Sequence, residues 1–109
     1  MILRIDTTKQ LEVHIELEDP KSGRVQKLVQ KQKLGSQVLL PMIVKILKKN
    51  ELNLKDLTAV EVNPGPGSFT GTRVGVSVAN ALGFALDIPV NGKKGKIVMP
   101  IYEKSKFDK

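Results

Sequence analysis

An α/β fold, one mixed sheet with helices packed on it, is predicted by three features of this 109-residue chain. Residues 11–18 alternate apolar and polar side chains with a period of two, as a half-buried strand does. From residue 36 the apolar positions recur at three and four, as on an amphipathic helix. A stretch rich in glycine and proline, Asn63-Pro64-Gly65-Pro66-Gly67-Ser68-Phe69-Thr70-Gly71, then joins a short apolar run to a second helical segment.

The elements follow in order. Residues 2–6 form a short apolar strand ending on Asp6 and followed by Thr7-Thr8. Leu11, Val13, Ile15 and Leu17 alternate with Glu12, His14, Glu16 and Glu18 in the next strand. Asp19-Pro20-Lys21-Ser22-Gly23 is a turn, so residues 24–31 return as a hairpin partner, and their surplus of Lys and Gln suits an edge. Val38, Leu39, Met42, Ile43, Ile46 and Leu47 stripe a helix over 36–49, with Lys45, Lys48 and Lys49 towards its carboxyl end. Pro41 is tolerated only in a first turn, so that helix begins late or bends. Residues 57–62 read as a strand, 72–86 as a helix and 88–90 as a fifth strand. Three strands, helix, strand, helix, strand is a meander running into βαβ crossovers, an α/β layer fold of the ribonuclease-H-like kind with a five-stranded mixed sheet. Residues 1–92 form the single lobe. Residues 93–109 form a Lys-rich tail with one further short strand over 97–102.

Composition removes several classes of function. The chain holds 18 Lys and Arg against 11 Asp and Glu, a net charge of +7, and no Cys, which excludes disulfides, thiolate zinc sites and cysteine catalysis. No apolar run is long enough to span a membrane, and the opening Met1-Ile2-Leu3-Arg4 is not a secretory leader, so a cytoplasmic location is expected. A lone His14, on the polar side of a strand, supports neither a histidine metal site nor a proton relay. Ser68 has no base near it in sequence. No catalytic set and no metal set are therefore expected.

Two places suit phosphate. Asp6-Thr7-Thr8 puts a carboxylate and two hydroxyls at a strand end, where they can hold hydrated magnesium or a phosphate oxygen, or can simply close the turn. Gly65, Gly67 and Ser68 lead into a helix amino end, which favours anions. The spacing matches neither a Walker loop nor a dinucleotide fingerprint. In the second helix Gly71, Gly75, Ala79 and Gly83 fall every fourth residue on one stripe. Glycine in a helix costs about 1 kcal/mol relative to alanine, so the stripe implies close approach of another backbone. Part of it can lie on the chain's own sheet; the remainder is expected to meet a second chain.

These residues resemble a known family. Ile2-Leu3-Arg4-Ile5-Asp6-Thr7-Thr8, Ser36-Gln37-Val38-Leu39-Leu40-Pro41-Met42-Ile43 and the stretch from Asn63 to Val76 are similar to the N-terminal lobe of the TsaB (YeaZ) family, with Gly65 to Gly75 the most specific part. The resemblance implies an actin-like ATPase lobe that is the non-catalytic partner, or scaffold, of a TsaD-like synthase in threonylcarbamoyladenosine modification of tRNA. The TsaD relatives carry metal-binding histidines beyond the last strand, where this chain has Asn91-Gly92-Lys93-Lys94. Family members also have a second lobe of similar size, without counterpart here. Met99-Pro100-Ile101-Tyr102 is similar to a Pro-x-Tyr near the family's C-terminus, as though that lobe were deleted internally.

The family's partner contact implies an interface of Leu39, Leu40, Ile43 and Leu47 on the first helix with Gly71, Val74, Gly75, Val78, Ala79 and Leu82 on the second. It further implies a homodimer when the chain is alone, tRNA engaged indirectly, no membrane, and no tightly bound cofactor. ATP or ADP with magnesium would sit at a shared interface, near Asp6, Thr7, Thr8, Gly65, Gly67 and Ser68. The rival readings are a small nucleotide-binding enzyme using those residues, and a basic RNA-binding module using Lys93, Lys94 and Lys96.

Overall fold

A computed structural model describes residues 1–9, 11–31 and 38–101 of the chain. Strands β1 (Ile2–Asp6), β2 (Glu12–Asp19), β3 (Arg24–Lys31) and β4 (Ala59–Val62) form one sheet in the order β3-β2-β1-β4. β1 pairs antiparallel with β2, β2 antiparallel with β3, and β4 is added parallel to β1. The hairpin turn is closed by the Gly23 N–H donating to the Asp19 carbonyl at 2.7 Å, with Gly23 at a φ of +74° that a side chain would resist.

Helices α1 (Leu39–Lys49) and α2 (Phe69–Leu86) both lie on one face of the sheet. Register places Leu3 opposite Leu17 and Val60, and Ile5 opposite Ile15 and Val62, all on that face. Against them pack Leu39, Met42, Ile43, Ile46 and Leu47 of α1 and Val76, Ala79 and Leu82 of α2, in a single core. Pro41 is the third residue of α1, so the helix begins late, where the missing N–H costs nothing. The Asn50 amide caps its other end by donating to the Ile46 carbonyl at 2.7 Å and is tied to Gln26 of β3. α2 begins three residues earlier than expected, because Ser68 caps it and its hydroxyl accepts the Gly71 N–H.

The sheet has four strands among the described residues, not the five expected, for a visible reason. Val90 makes one parallel bridge to Val60, and the chain then reverses through Asn91 and Gly92, both at positive φ. The Asn91 side chain replaces the next peptide: its carbonyl accepts from Val62 N–H at 2.8 Å and its amide donates to the Val62 carbonyl at 3.0 Å. The strand expected over 97–102 is likewise not formed across its described residues, 97–101. There the Asn80 side chain of α2 makes the same reciprocal pair with Val98, both bonds at 2.9 Å. Tyr102, with the rest of the tail to residue 109, lies outside the described residues, as do Ser36 and Gln37.

Candidate functional site

The end of β1 and the loop before α2 meet and are sewn together. Asp6 turns the chain: one carboxylate oxygen accepts the Thr8 N–H at 2.9 Å and the Thr8 hydroxyl at 2.6 Å, and the other accepts from the Asn63 amide at 3.3 Å. Asn63 extends the β4 ladder by donating its N–H to the Ile5 carbonyl at 2.9 Å, and its side-chain oxygen accepts from Gly65. Ser68 N–H donates to the Thr8 carbonyl at 2.7 Å. Thr7, fully buried, donates its hydroxyl to the Gly71 carbonyl of α2. Burial raises the pKa of Asp6, but its bonds from Thr8 and Asn63 outweigh this and hold it below the usual carboxylate range.

All six residues proposed for phosphate are thus brought to one place, yet they serve one another. A side chain on Gly67 would strike Thr8, and one on Gly65 would strike the Ile101 carbonyl. The space a phosphate would need beside these glycines is filled by the chain itself. The Ser68 hydroxyl is committed to the cap and the Asp6 oxygens to Thr8 and Asn63. The cluster of this lobe does not fit a nucleotide phosphate as it stands.

The glycine stripe has the same explanation, and this corrects the expected interface. A Cβ on Gly71 would collide with the Thr7 carbonyl oxygen, one on Gly75 with the Thr7 hydroxyl, and one on Gly83 with Val90. What approaches α2 is therefore the chain itself, Thr7 just past β1 at Gly71 and Gly75 and Val90 at Gly83. Gly71, Gly75, Ala79 and Leu82 are buried in this way, and Leu39, Ile43 and Leu47 are buried in the core, so none of the seven is offered to a partner. Of the expected interface residues Leu40 is exposed, and Val74 and Val78 are half-buried.

Sequence reasoning missed what surrounds them. Val44 beside Leu40 is 45% exposed, and Phe84 on α2 is 92% exposed, both outside the stripes that periodicity marked. A second missed feature is the opposite face of the sheet, where alternate residues place Arg4 among Glu16, Glu18 and Glu61. Arg4 bonds Glu18 and Glu61 at 2.7 Å each and lies 3.7 Å from Glu16. A shallow cavity of ≈ 370 Å³ there is lined by Arg4, Asp6, His14, Glu16, Glu61 and Asn63, among others. His14 holds Glu12 at 2.8 Å, and this hydrogen bond keeps the Glu12 carboxyl below its ordinary range. Among the described residues no cluster of His, Asp and Glu has the geometry to hold a metal, and no helix is long and apolar enough to cross a membrane. Lys93, Lys94 and Lys96 are exposed, with Lys94 paired to Asp87 at 3.3 Å.

Comparison with known proteins points one way. A family model described as TsaD, tRNA N6-adenosine threonylcarbamoyltransferase, matches residues 14–93. The tRNA threonylcarbamoyladenosine biosynthesis protein TsaB of Buchnera aphidicola subsp. Schizaphis graminum is 44% identical over 54 residues, 50% of this chain and 26% of that protein. The tRNA N6-adenosine threonylcarbamoyltransferase of Nitrosospira multiformis is 42% identical over 66 residues, 58% of this chain and 19% of that protein. The solved structure of YeaZ from Pseudomonas aeruginosa superposes with a TM-score of 0.74 at 32% identity, over 82% of this chain and 42% of that one. The chain thus spans less than half the length of each of these relatives.

Proposed function

This chain belongs to the TsaD–TsaB (YeaZ) family, and from that premise we propose that it is a non-catalytic partner of a TsaD-like synthase, supporting threonylcarbamoyladenosine modification of tRNA. The observation that carries the non-catalytic reading is the commitment of Asp6, Thr7, Thr8 and Ser68 at the β1–α2 junction. Asp6, Thr7, Thr8 and Ser68 direct their donors and acceptors at each other and at the α2 backbone, which fixes the helix on the sheet. Such a junction positions a helical layer. A catalytic site would leave groups aimed at a substrate.

The helical layer is the surface through which the chain acts. Leu40, Val44 and Phe84 stand exposed on its outer side, where an associating protein would cover them. The finer fold assignment, a ribonuclease-H-like lobe of the actin-like ATPase kind, is supported by the meander β3-β2-β1 followed by a crossover through α1 that adds β4 in parallel. ATP or ADP with magnesium would need groups from a second chain or lobe. Engagement of tRNA is indirect, through the synthase.

Reconstitution tests this. The chain should sediment together with the TsaD-type transferase of the same organism and raise its yield of modified tRNA. Purified alone it should show no appreciable ATP hydrolysis. Turnover that survives purification and is lost in Asp6→Ala would replace the partner reading with that of a small nucleotide-binding enzyme.

A further inference from the structure

Past Val90 the chain runs back along the flank of α2, at the opposite edge of the sheet from α1. It is held there at two points, by the Asn80 side chain at Val98 and by the Ile101 N–H donating to the Pro64 carbonyl at 2.6 Å. Exposure alternates along it with a period of two, as along a strand. Val98 and Pro100 are half-buried, while Ile97, Met99 and Ile101 are 75%, 71% and 51% exposed. Phe84, which also borders the helical surface described above, lines a pocket of ≈ 400 Å³ together with Ile97. A fully exposed side chain of this size presents about 200 Å², so the four leave on the order of 600 Å² in water, as much as the largest patch a monomer ordinarily shows. A symmetric contact would remove about 1,200 Å² in all, above the roughly 1,000 Å² that a specific interface needs.

We propose that this ribbon pairs with the ribbon of a second copy, antiparallel across a two-fold axis at Met99. The outward row, Ile97, Met99 and Ile101, is the same in both directions about Met99, as an isologous contact requires. Met99 then meets Met99 and Ile97 meets Ile101, apolar against apolar at each place, and no charge interrupts residues 97–101. The backbone agrees. Val98 gives both its N–H and its carbonyl to Asn80, and along a strand neighbouring residues direct these groups to the opposite edge. Met99 has no backbone hydrogen bond among the described residues, so both its groups are free on the outer edge to exchange with its own copy. Pro100, which has no N–H, falls on the inner edge, where none is asked for. The second copy supplies the strand partner that residues 97–101 lack among the described residues. Leu40 and Val44, on α1, stay clear for the partner proposed above, so the two readings stand or fall separately.

The chain has no cysteine, which makes the axis directly testable. In such a pair the two Met99 Cα atoms stand about 5.5 Å apart, within reach of a disulfide. Met99→Cys should therefore cross-link to itself under mild oxidation. Ile97→Cys should not, because it lies four residues, about 13 Å, from its own copy. Sedimentation of wild type over a range of concentrations should show a monomer–dimer equilibrium. Met99→Lys and Met99→Glu, both at an exposed position, should each weaken it at least about tenfold, and an equal mixture of the two should restore it. These results uphold the pairing. A wild type that stays monomeric overturns it, as does a mixture that fails to restore the dimer, or a cross-link at residue 97 in place of 99. A dimer lost in Leu40→Ser but kept in Met99→Lys overturns it by assigning self-association to the helical surface. If wild type binds the TsaD-type transferase as a monomer and Met99→Lys does not, the ribbon belongs to that protein and the pairing is likewise overturned.

Discussion

The two faces of the sheet are made from alternate residues of the same strands, and they are held in different ways. On the face under the helices, Leu3, Ile5, Ile15, Leu17 and Val60 are almost wholly removed from water, and glycines bring α2 down onto Thr7. On the other face Arg4, Glu16, Glu18 and Glu61 are only partly covered and pair by charge. Dispersion and hydrophobic burial are strong and insensitive to salt; half-solvated ion pairs are weak and screened. The covered face therefore carries the fold. The open face contributes mainly solubility and local order.

Neighbouring residues of β2 give the largest contrast. Leu17→Ala removes a side chain that is 1% exposed and should cost about 2–5 kcal/mol. Glu18→Ala, one residue on but on the other face, should cost no more than about 1 kcal/mol. Urea denaturation of the two variants measures both, and comparable losses would break the contrast. Gly75→Leu comes next. The new side chain would enter the space held by the Thr7 hydroxyl, so overpacking should destabilise the isolated monomer by about 1–3 kcal/mol. An unchanged melting temperature would mean that the stripe faces outward after all.

Much of this was legible in the sequence, and the limits are physical. The period of two in β2, the lysine and glutamine surplus of the β3 edge and the position of Pro41 each follow from a local rule, and the structure obeys them. The glycine stripe was legible as a close approach, but periodicity says that residues share a face and not which body lies against it. That body is Thr7, more than sixty residues away in the chain. The lost strands were illegible for a related reason. Asn91 and Asn80 replace a peptide with a side-chain amide, and an asparagine looks the same in sequence whether it does this or faces solvent. Gly65 and Gly67 pose the same problem, since a glycine that admits a ligand and one that admits its own chain share the same letter.

Arg4 sharpens the comparison from the open side. Its guanidinium is held charged by the hydrogen bonds to Glu61 and Glu18. Arg4→Ala would leave three carboxylates facing one another, at a cost of about 1 kcal/mol in low salt. In about 1 M salt, where screening reaches within roughly 3 Å, most of that difference should vanish. The Leu17→Ala loss should not respond in this way. A salt-independent Arg4 effect would show that its aliphatic stem, rather than its charge, does the holding.

The smallest effect lies where the two faces meet, at Asp6. Its pKa is lowered in the folded chain, because Thr8 and Asn63 bind the ionised form more than burial penalises it. A carboxylate depressed on folding contributes stability that is fully present above its unfolded pKa of about 3.9. That contribution is lost as pH falls through the folded value. Asp6→Asn keeps an oxygen for the Thr8 donors but has no charge, and its new amide would face the Asn63 amide, donor against donor. The stability difference between wild type and Asp6→Asn should therefore be flat from neutral pH down to about 4 and shrink below it. Chemical denaturation at closely spaced pH values follows this directly. A difference that stays constant through the acid range would assign the cost of the substitution to the donor clash alone, and remove ionisation of Asp6 from the forces that seat α2 on the sheet.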